Sequence, residues 1–117
     1  MYRRLRKEVE KSSGDAIRLV QDLVRIPSPS LHEKRLAGKV AGVMRELRYD
    51  LVFTDDLGNI IGVIVGSNSD SALMMSSHMD TVDARRPECW NRSPFSGDIV
   101  HGRIQGVGAA DSKGGLA

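Results

Sequence analysis

The residues best equipped for chemistry lie in two short stretches of the second half of the chain. The first is Ser76-Ser77-His78-Met79-Asp80-Thr81-Val82, directly after the apolar run Ala72-Leu73-Met74-Met75. That run has the length of a strand buried on both faces. A histidine at the carboxyl end of such a strand stands where ligands bind in open α/β sheets. An aspartate two residues on can accept a hydrogen bond from the imidazole N–H that does not coordinate, the usual arrangement behind a zinc-bound histidine. Taken alone, His-x-Asp also describes a histidine satisfied within a core or turn, with Asp80 as a turn residue.

The second stretch is Gly106-Val107-Gly108-Ala109-Ala110-Asp111-Ser112-Lys113-Gly114-Gly115. Two nucleotide-loop templates fail on it. The dinucleotide fingerprint requires glycine where Asp111 stands, and a Walker loop requires Gly-Lys-Ser/Thr where this chain has Ser112-Lys113-Gly114. A carboxylate at the mouth of such a loop repels phosphate and attracts a divalent cation. Glycine adopts positive φ and lets backbone pack closely, so the loop can present Asp111 at a fixed angle. A plain flexible loop is the other reading.

The elements that must position these residues are legible in the pattern of apolar side chains. Ser12-Ser13-Gly14-Asp15 has the spacing of a capping box, and Ala16, Leu19, Val20, Leu23 and Val24 follow at helical spacing. Arg25-Ile26-Pro27-Ser28-Pro29 ends that helix, because proline disfavours the α conformation before it. Ser30 opens a second box with Glu33, and Leu36, Val40, Val43, Met44 and Leu47 carry a second helical stripe. The period then changes. Leu51-Val52-Phe53 and the β-branched run Ile60 to Val65 flank Asp55-Asp56-Leu57-Gly58-Asn59, which predicts a hairpin. Gly66 to Ser71 is a loop, and 72–76 is the buried strand. Ile99-Val100 and Arg103-Ile104 flank His101-Gly102 as a second hairpin, and the glycine-rich loop leads into a helix. The order predicts an α/β fold of helices packed on a mixed β-sheet, in one continuous unit over residues 1–117.

Composition narrows the classes of function. With 117 residues, 40% apolar and 27% charged, the chain is an ordinary globular sequence, neither disordered nor membrane-spanning. Five aromatic residues leave little for a nucleic-acid stacking platform. Residues 1–50 hold 12 Lys/Arg against 7 Asp/Glu, whereas 51–117 hold 5 against 8. The basic excess, beginning with Arg3, Arg4, Arg6 and Lys7, reads as solvated helix surface rather than a nucleic-acid patch. The acidic excess gathers around His78. The one cysteine, Cys89, excludes an internal disulfide, and a cytoplasmic location is expected.

Taken together, the two motifs are far more specific than either alone. The matching pieces are Leu23 to Ser28, Asp56-Leu57-Gly58-Asn59, Ser77 to Val82, Trp90 with Pro94-Phe95, and Gly106 to Gly115. On these pieces the chain, from about Ile17 to Ala117, resembles the amino-terminal part of the M20 metallopeptidases. This group comprises aminoacylases, acetylornithine deacetylases, succinyl-diaminopimelate desuccinylases and carboxypeptidase G2. The resemblance implies that His78 ligates one metal of a dizinc or dicobalt pair. It gives Asp80 the catalytic role of orienting that histidine, and makes Asp111 the carboxylate bridging both metals. A metal-activated water would attack the amide of a small N-acyl amino acid or short peptide. Asp83 stands where the family often has Pro, and Val107 where Arg is common, departures that bear on substrate preference.

A dizinc site needs more ligands than His78 and Asp111. By the resemblance, the general-base glutamate, the remaining ligands and a lid domain that mediates homodimerisation lie downstream. The chain is therefore expected to be an amino-terminal portion of the catalytic domain, inactive alone. A non-catalytic metal- or partner-binding remnant of the same scaffold is the alternative. Trp90 and Phe95 are assigned to local packing, His32 and His101 to solvent, and Lys113 to a structural or solvated role ahead of a substrate contact. Asn91-Arg92-Ser93 fits a glycosylation sequon, but nothing else points to secretion.

Overall fold

The computed structural model describes residues 2–67 and 70–117; Asn68 and Ser69 of the expected loop lie outside the described residues. Helix α1 spans Tyr2–Val24 and α2 spans Lys34–Glu46. The expected stripe on α1 is buried only in its last two turns, at Val20, Leu23 and Val24, while Ala16 is exposed. On α2 the buried positions are Leu36, Ala37, Val40 and Ala41. Leu23, Leu36 and Val40 form the centre of the core. Leu19, Ile26, Met44, Ile60, Met79 and Leu116 pack around them, so the core reaches both stretches that carry the candidate chemistry.

Neither expected capping box acts as one. Helix α1 runs straight through Ser12-Ser13-Gly14, because both hydroxyls turn back into the helix: Ser12 Oγ donates to the Glu8 carbonyl at 3.2 Å and Ser13 Oγ to the Glu10 carbonyl at 2.8 Å. Ion pairs Arg6–Glu10 and Lys11–Glu8, each at 2.9 Å, also lie along this segment. At α2, the Ser30 hydroxyl is engaged elsewhere and the Glu33 carboxylate accepts the Leu31 N–H at 2.8 Å. The end of α1 is as expected. Arg25 N–H bonds the Gln21 carbonyl and Ile26 N–H the Leu23 carbonyl, and Pro27 then forces an exit.

Both expected hairpins form. Strands β1 (Leu51–Thr54) and β2 (Ile60–Val63) pair antiparallel, with Leu51 opposite Val63 and Thr54 opposite Ile60. The Asp55 carboxylate builds their turn by accepting the backbone N–H groups of Leu57 (3.0 Å) and Asn59 (2.8 Å) and the Asn59 side chain (2.8 Å). Helix α2 lies over this hairpin, where an added Cβ at Gly62 would stand 2.6 Å from the Tyr49 ring and 2.8 Å from the Met44 sulfur. Strands β3 (Ile99–Val100) and β4 (Arg103–Ile104) pair around His101-Gly102, both at positive φ.

The fold class is α/β, but the strand expected over 72–76 does not form. Leu73, Met74 and Met75 are 88%, 88% and 85% exposed. The cause is pairing. Among the described residues each hairpin bonds only to itself, and its free edges do not take up this segment. The one parallel pairing there is a single bridge, Pro29 to Thr81.

Hydrogen bonds from Asn59, first through its side chain and then its backbone, hold the Asp55 carboxyl below its ordinary value. The sign follows directly: its contribution is complete above the unfolded carboxylate value and is lost as pH falls through the folded one. The stability difference between the parent chain and Asp55→Asn should therefore be present at neutral pH and shrink below about pH 4. Urea midpoints measured across that range check it; a constant difference contradicts it.

Candidate metal centre

His78 is positioned by backbone pairing to the exit of α1. Past Pro27, Pro29 forms a single parallel bridge with Thr81, and Ser30 opens a turn beyond it. Thr81 N–H donates to the Ser28 carbonyl at 2.8 Å, and Ser28 Oγ, fully buried, donates to the Met79 carbonyl at 2.8 Å. In extended chain, alternate residues share a face. Met79 accordingly packs on the core, while His78 and Asp80 meet on the other side.

Asp111 is presented by the glycine-rich loop. Gly106 (φ +145°) and Gly108 (φ +79°) adopt conformations that favour glycine. Their contacts require it as well. A Cβ on Gly106 would lie 2.3 Å from Val24 Cγ1, and one on Gly108 2.5 Å from Thr81 Cγ2. Between them Val107 is buried, and its N–H donates to the Pro94 carbonyl at 2.8 Å. Lys113 is fully buried and its Nζ donates to the Ile26 carbonyl at 2.7 Å, with burial lowering its pKa to about 8. The structural role expected for Lys113 is the one it has. Asp111 and Ser112 have non-helical backbone inside the turn Ala109–Lys113, and the peptide between them is cis.

The two stretches converge. His78 Nδ1 lies 3.1 Å from Asp80 Oδ1 and 3.0 Å from the Asp80 carbonyl, while Nε2 lies 2.8 Å from Asp111 Oδ1. Beside them the hydroxyls of Ser77 and Ser112 hydrogen-bond to each other. The His78 side chain is half exposed and that of Asp111 is 89% exposed, so the pair faces solvent. Asp111, with help from Asp80, raises the pKa of His78, and the Ser30 hydroxyl leads in lowering that of Asp80.

These residues fit a divalent cation in the chemistry of their donors. With the imidazole proton on Nδ1, facing the two acceptors on Asp80, the Nε2 lone pair is directed at a carboxylate oxygen 2.8 Å away, and a divalent cation between the two would satisfy both. With a proton on Nε2, in the neutral ring or the imidazolium, the same contact is a hydrogen bond to Asp111. Among the described residues, no group of three His, Cys, Asp or Glu side chains is arranged to hold a metal ion.

The remaining histidines, His32 and His101, are exposed, as is Cys89. Trp90 is 40% exposed. Sequence reasoning missed Ser30, whose Oγ donates to Asp80 Oδ2 at 2.6 Å. It also missed Ser28 and the hydroxyl–hydroxyl bond of Ser77 and Ser112 that joins the two stretches. A buried hydroxyl leaves no mark in residue type or spacing, so Ser28 gives no separate signal.

The profile of the peptidase family M20/M25/M40 matches residues 74–117, which include His78, Asp80 and Asp111. Over 112 residues the chain is 35% identical to a succinyl-diaminopimelate desuccinylase of Methylobacterium radiotolerans, covering 87% of this chain and 27% of that protein. It is 29% identical to an N-formyl-4-amino-5-aminomethyl-2-methylpyrimidine deformylase of Bacillus subtilis, over 97% of this chain and 28% of that one. It is also 29% identical to the uncharacterized protein YgeY of Escherichia coli K12, over 99% of this chain and 28% of that protein. No solved structure matches at a significant level. The chain is similar to members of the M20 peptidase family, and it spans just over a quarter of the length of the curated relatives it matches. Among the described residues, no helix is long and apolar enough to cross a membrane.

Gly108→Ala should test the loop that carries Asp111. It combines a left-handed backbone with a Cβ pressed on the buried Thr81, for a destabilisation of about 2 kcal/mol or more in urea denaturation. A change within about 0.5 kcal/mol, the range of an ordinary surface substitution, contradicts the packing described.

Proposed function

We propose that His78, Asp80 and Asp111 are part of the metal site of a hydrolase that cleaves amide bonds in small N-acyl amino acids or short peptides. The observation that carries the reading is the line Asp80–His78–Asp111, with an imidazole nitrogen and a carboxylate oxygen facing each other at 2.8 Å. Similarity to a peptidase family supports it. So do relatives named as a desuccinylase and a deformylase, names that denote removal of an acyl group.

In this reading His78 Nε2 and Asp111 hold divalent metal, with Asp111 shared between two Zn²⁺ or Co²⁺ ions. Metal bound there would polarise an amide carbonyl and acidify water. Asp80 keeps the proton on Nδ1, so that Nε2 stays free to ligate. The two loops hold the donors at fixed separation. Residues 1–117 form part of a catalytic domain. Further ligands, the general base, and a lid domain serving a homodimer belong to sequence beyond those residues. A cytoplasmic setting accords with the single exposed Cys89.

Two ligands make a weak site. Calorimetry with Zn²⁺ should show weak binding to the 117-residue chain, reduced at least about tenfold by His78→Ala and by Asp111→Asn. Equal affinity in the parent and either variant overturns the assignment of that ligand. Tight Zn²⁺ binding favours the non-catalytic metal-binding remnant. The same chain should hydrolyse no N-acyl amino acid with Zn²⁺ or Co²⁺ present; turnover overturns the view that residues elsewhere complete the site.

A further inference from the structure

We propose that Ser30 is a positioning residue for the His78 ring, acting through Asp80. The role of that ring as a metal ligand rests on the reading above, whereas its orientation by Ser30 does not. A carboxylate turns easily about its last torsion, because that torsion has broad wells. One hydrogen bond therefore leaves the plane of Asp80 loosely set. Two bonds on different oxygens define it, and Asp80 has them: Oδ1 faces His78 Nδ1 at 3.1 Å and Oδ2 accepts from Ser30 Oγ at 2.6 Å.

Ser30 is itself held in place from both sides. Pro29 bridges to Thr81, the His32 N–H donates to the Pro29 carbonyl at 2.8 Å, and the Leu31 N–H donates to Glu33 at 2.8 Å. The hydroxyl is thus delivered by the turn that directly follows the Pro29–Thr81 bridge. Its donor direction is unambiguous, since an ionised carboxylate only accepts. The hydrogen bonding ordinarily expected of Ser30, a cap for α2, is absent: the N-terminus of α2 has no side-chain cap.

Position and packing can be separated here because Ser30 is exposed. Removing its hydroxyl opens no buried void, whereas a role in folding would appear in stability. Without Ser30, the Asp80 carboxylate is free to turn away from Nδ1. Of the two acceptors that favour a proton on that nitrogen, the imidazole then keeps only the Asp80 carbonyl.

The test uses the ¹⁵N-labelled 117-residue chain, with long-range ¹H–¹⁵N spectra of the His78 ring recorded at one pH where the ring is neutral. The parent and Ser30→Thr should show the same share of the Nδ1–H tautomer. Ser30→Ala should lower that share in favour of Nε2–H on Asp111, while its urea midpoint stays unchanged. Zn²⁺ affinity should fall about three- to tenfold in Ser30→Ala and stay within about twofold in Ser30→Thr, somewhat less than for direct partners of a ligand. Identical ring spectra in Ser30→Ala and the parent overturn the proposal, as does an equal shift in both variants. A tautomer shift in Ser30→Ala with Zn²⁺ binding that never depends on His78 leaves Ser30 as the positioning residue and refutes the ligand reading instead.

Discussion

The candidate site depends on one piece of backbone pairing, the latch between Ser28–Ser30 and Met79–Thr81. A loop bearing a histidine and an aspartate has no orientation of its own. Here the buried Ser28 supplies both a carbonyl for the Thr81 N–H and a hydroxyl for the Met79 carbonyl, so two polar groups are satisfied on leaving water. Once Met79–Thr81 is extended, the two-residue alternation does the rest. Met79 enters the core, and His78 and Asp80 are left side by side. The spacing His-x-Asp is thus a consequence of extended geometry, as the spacing of a helical pair would be of a turn.

The second stretch is set against the same corner. Gly106 lies against Val24, Gly108 against Thr81, and the buried Lys113 reaches the carbonyl of Ile26. All three partners belong to the end of α1, its exit, or the latched segment. Both loops therefore take their position from one short region around Pro27. The 2.8 Å approach of His78 to Asp111 follows from that shared reference, with the Ser77–Ser112 hydroxyl pair as a direct tie between the loops.

Much of this was legible in the residues. The two helices, the proline that ends the first, both hairpins and the pairing of His78 with Asp80 all follow from local pattern. What failed was whatever depends on a distant partner. The apolar run at 72–76 has strand composition, but a strand exists only where another edge accepts its hydrogen bonds, and neither hairpin pairs with it. The serine motifs failed for a related reason. A hydroxyl near a helix start has several acceptors within reach, so Ser12 and Ser13 choose carbonyls of their own helix and Ser30 chooses Asp80, 50 residues away. Spacing alone does not rank such acceptors.

Exposure decides what kind of contact His78–Asp111 is. A buried imidazolium–carboxylate pair would be a fixed structural element, costly to break because each charge would be left without solvent. This pair is different: the histidine side chain is half exposed and the aspartate 89% exposed. Exposed pairs contribute little to stability, since water already screens their attraction. The proton between Nε2 and Oδ1 is accordingly exchangeable at low cost to the fold. The scaffold beneath them is rigid by contrast, through the buried Ser28, Val107 and Lys113. The donors are held firmly, with an exchangeable proton between them, and on the proposed reading a divalent cation would replace that proton without disturbing the core.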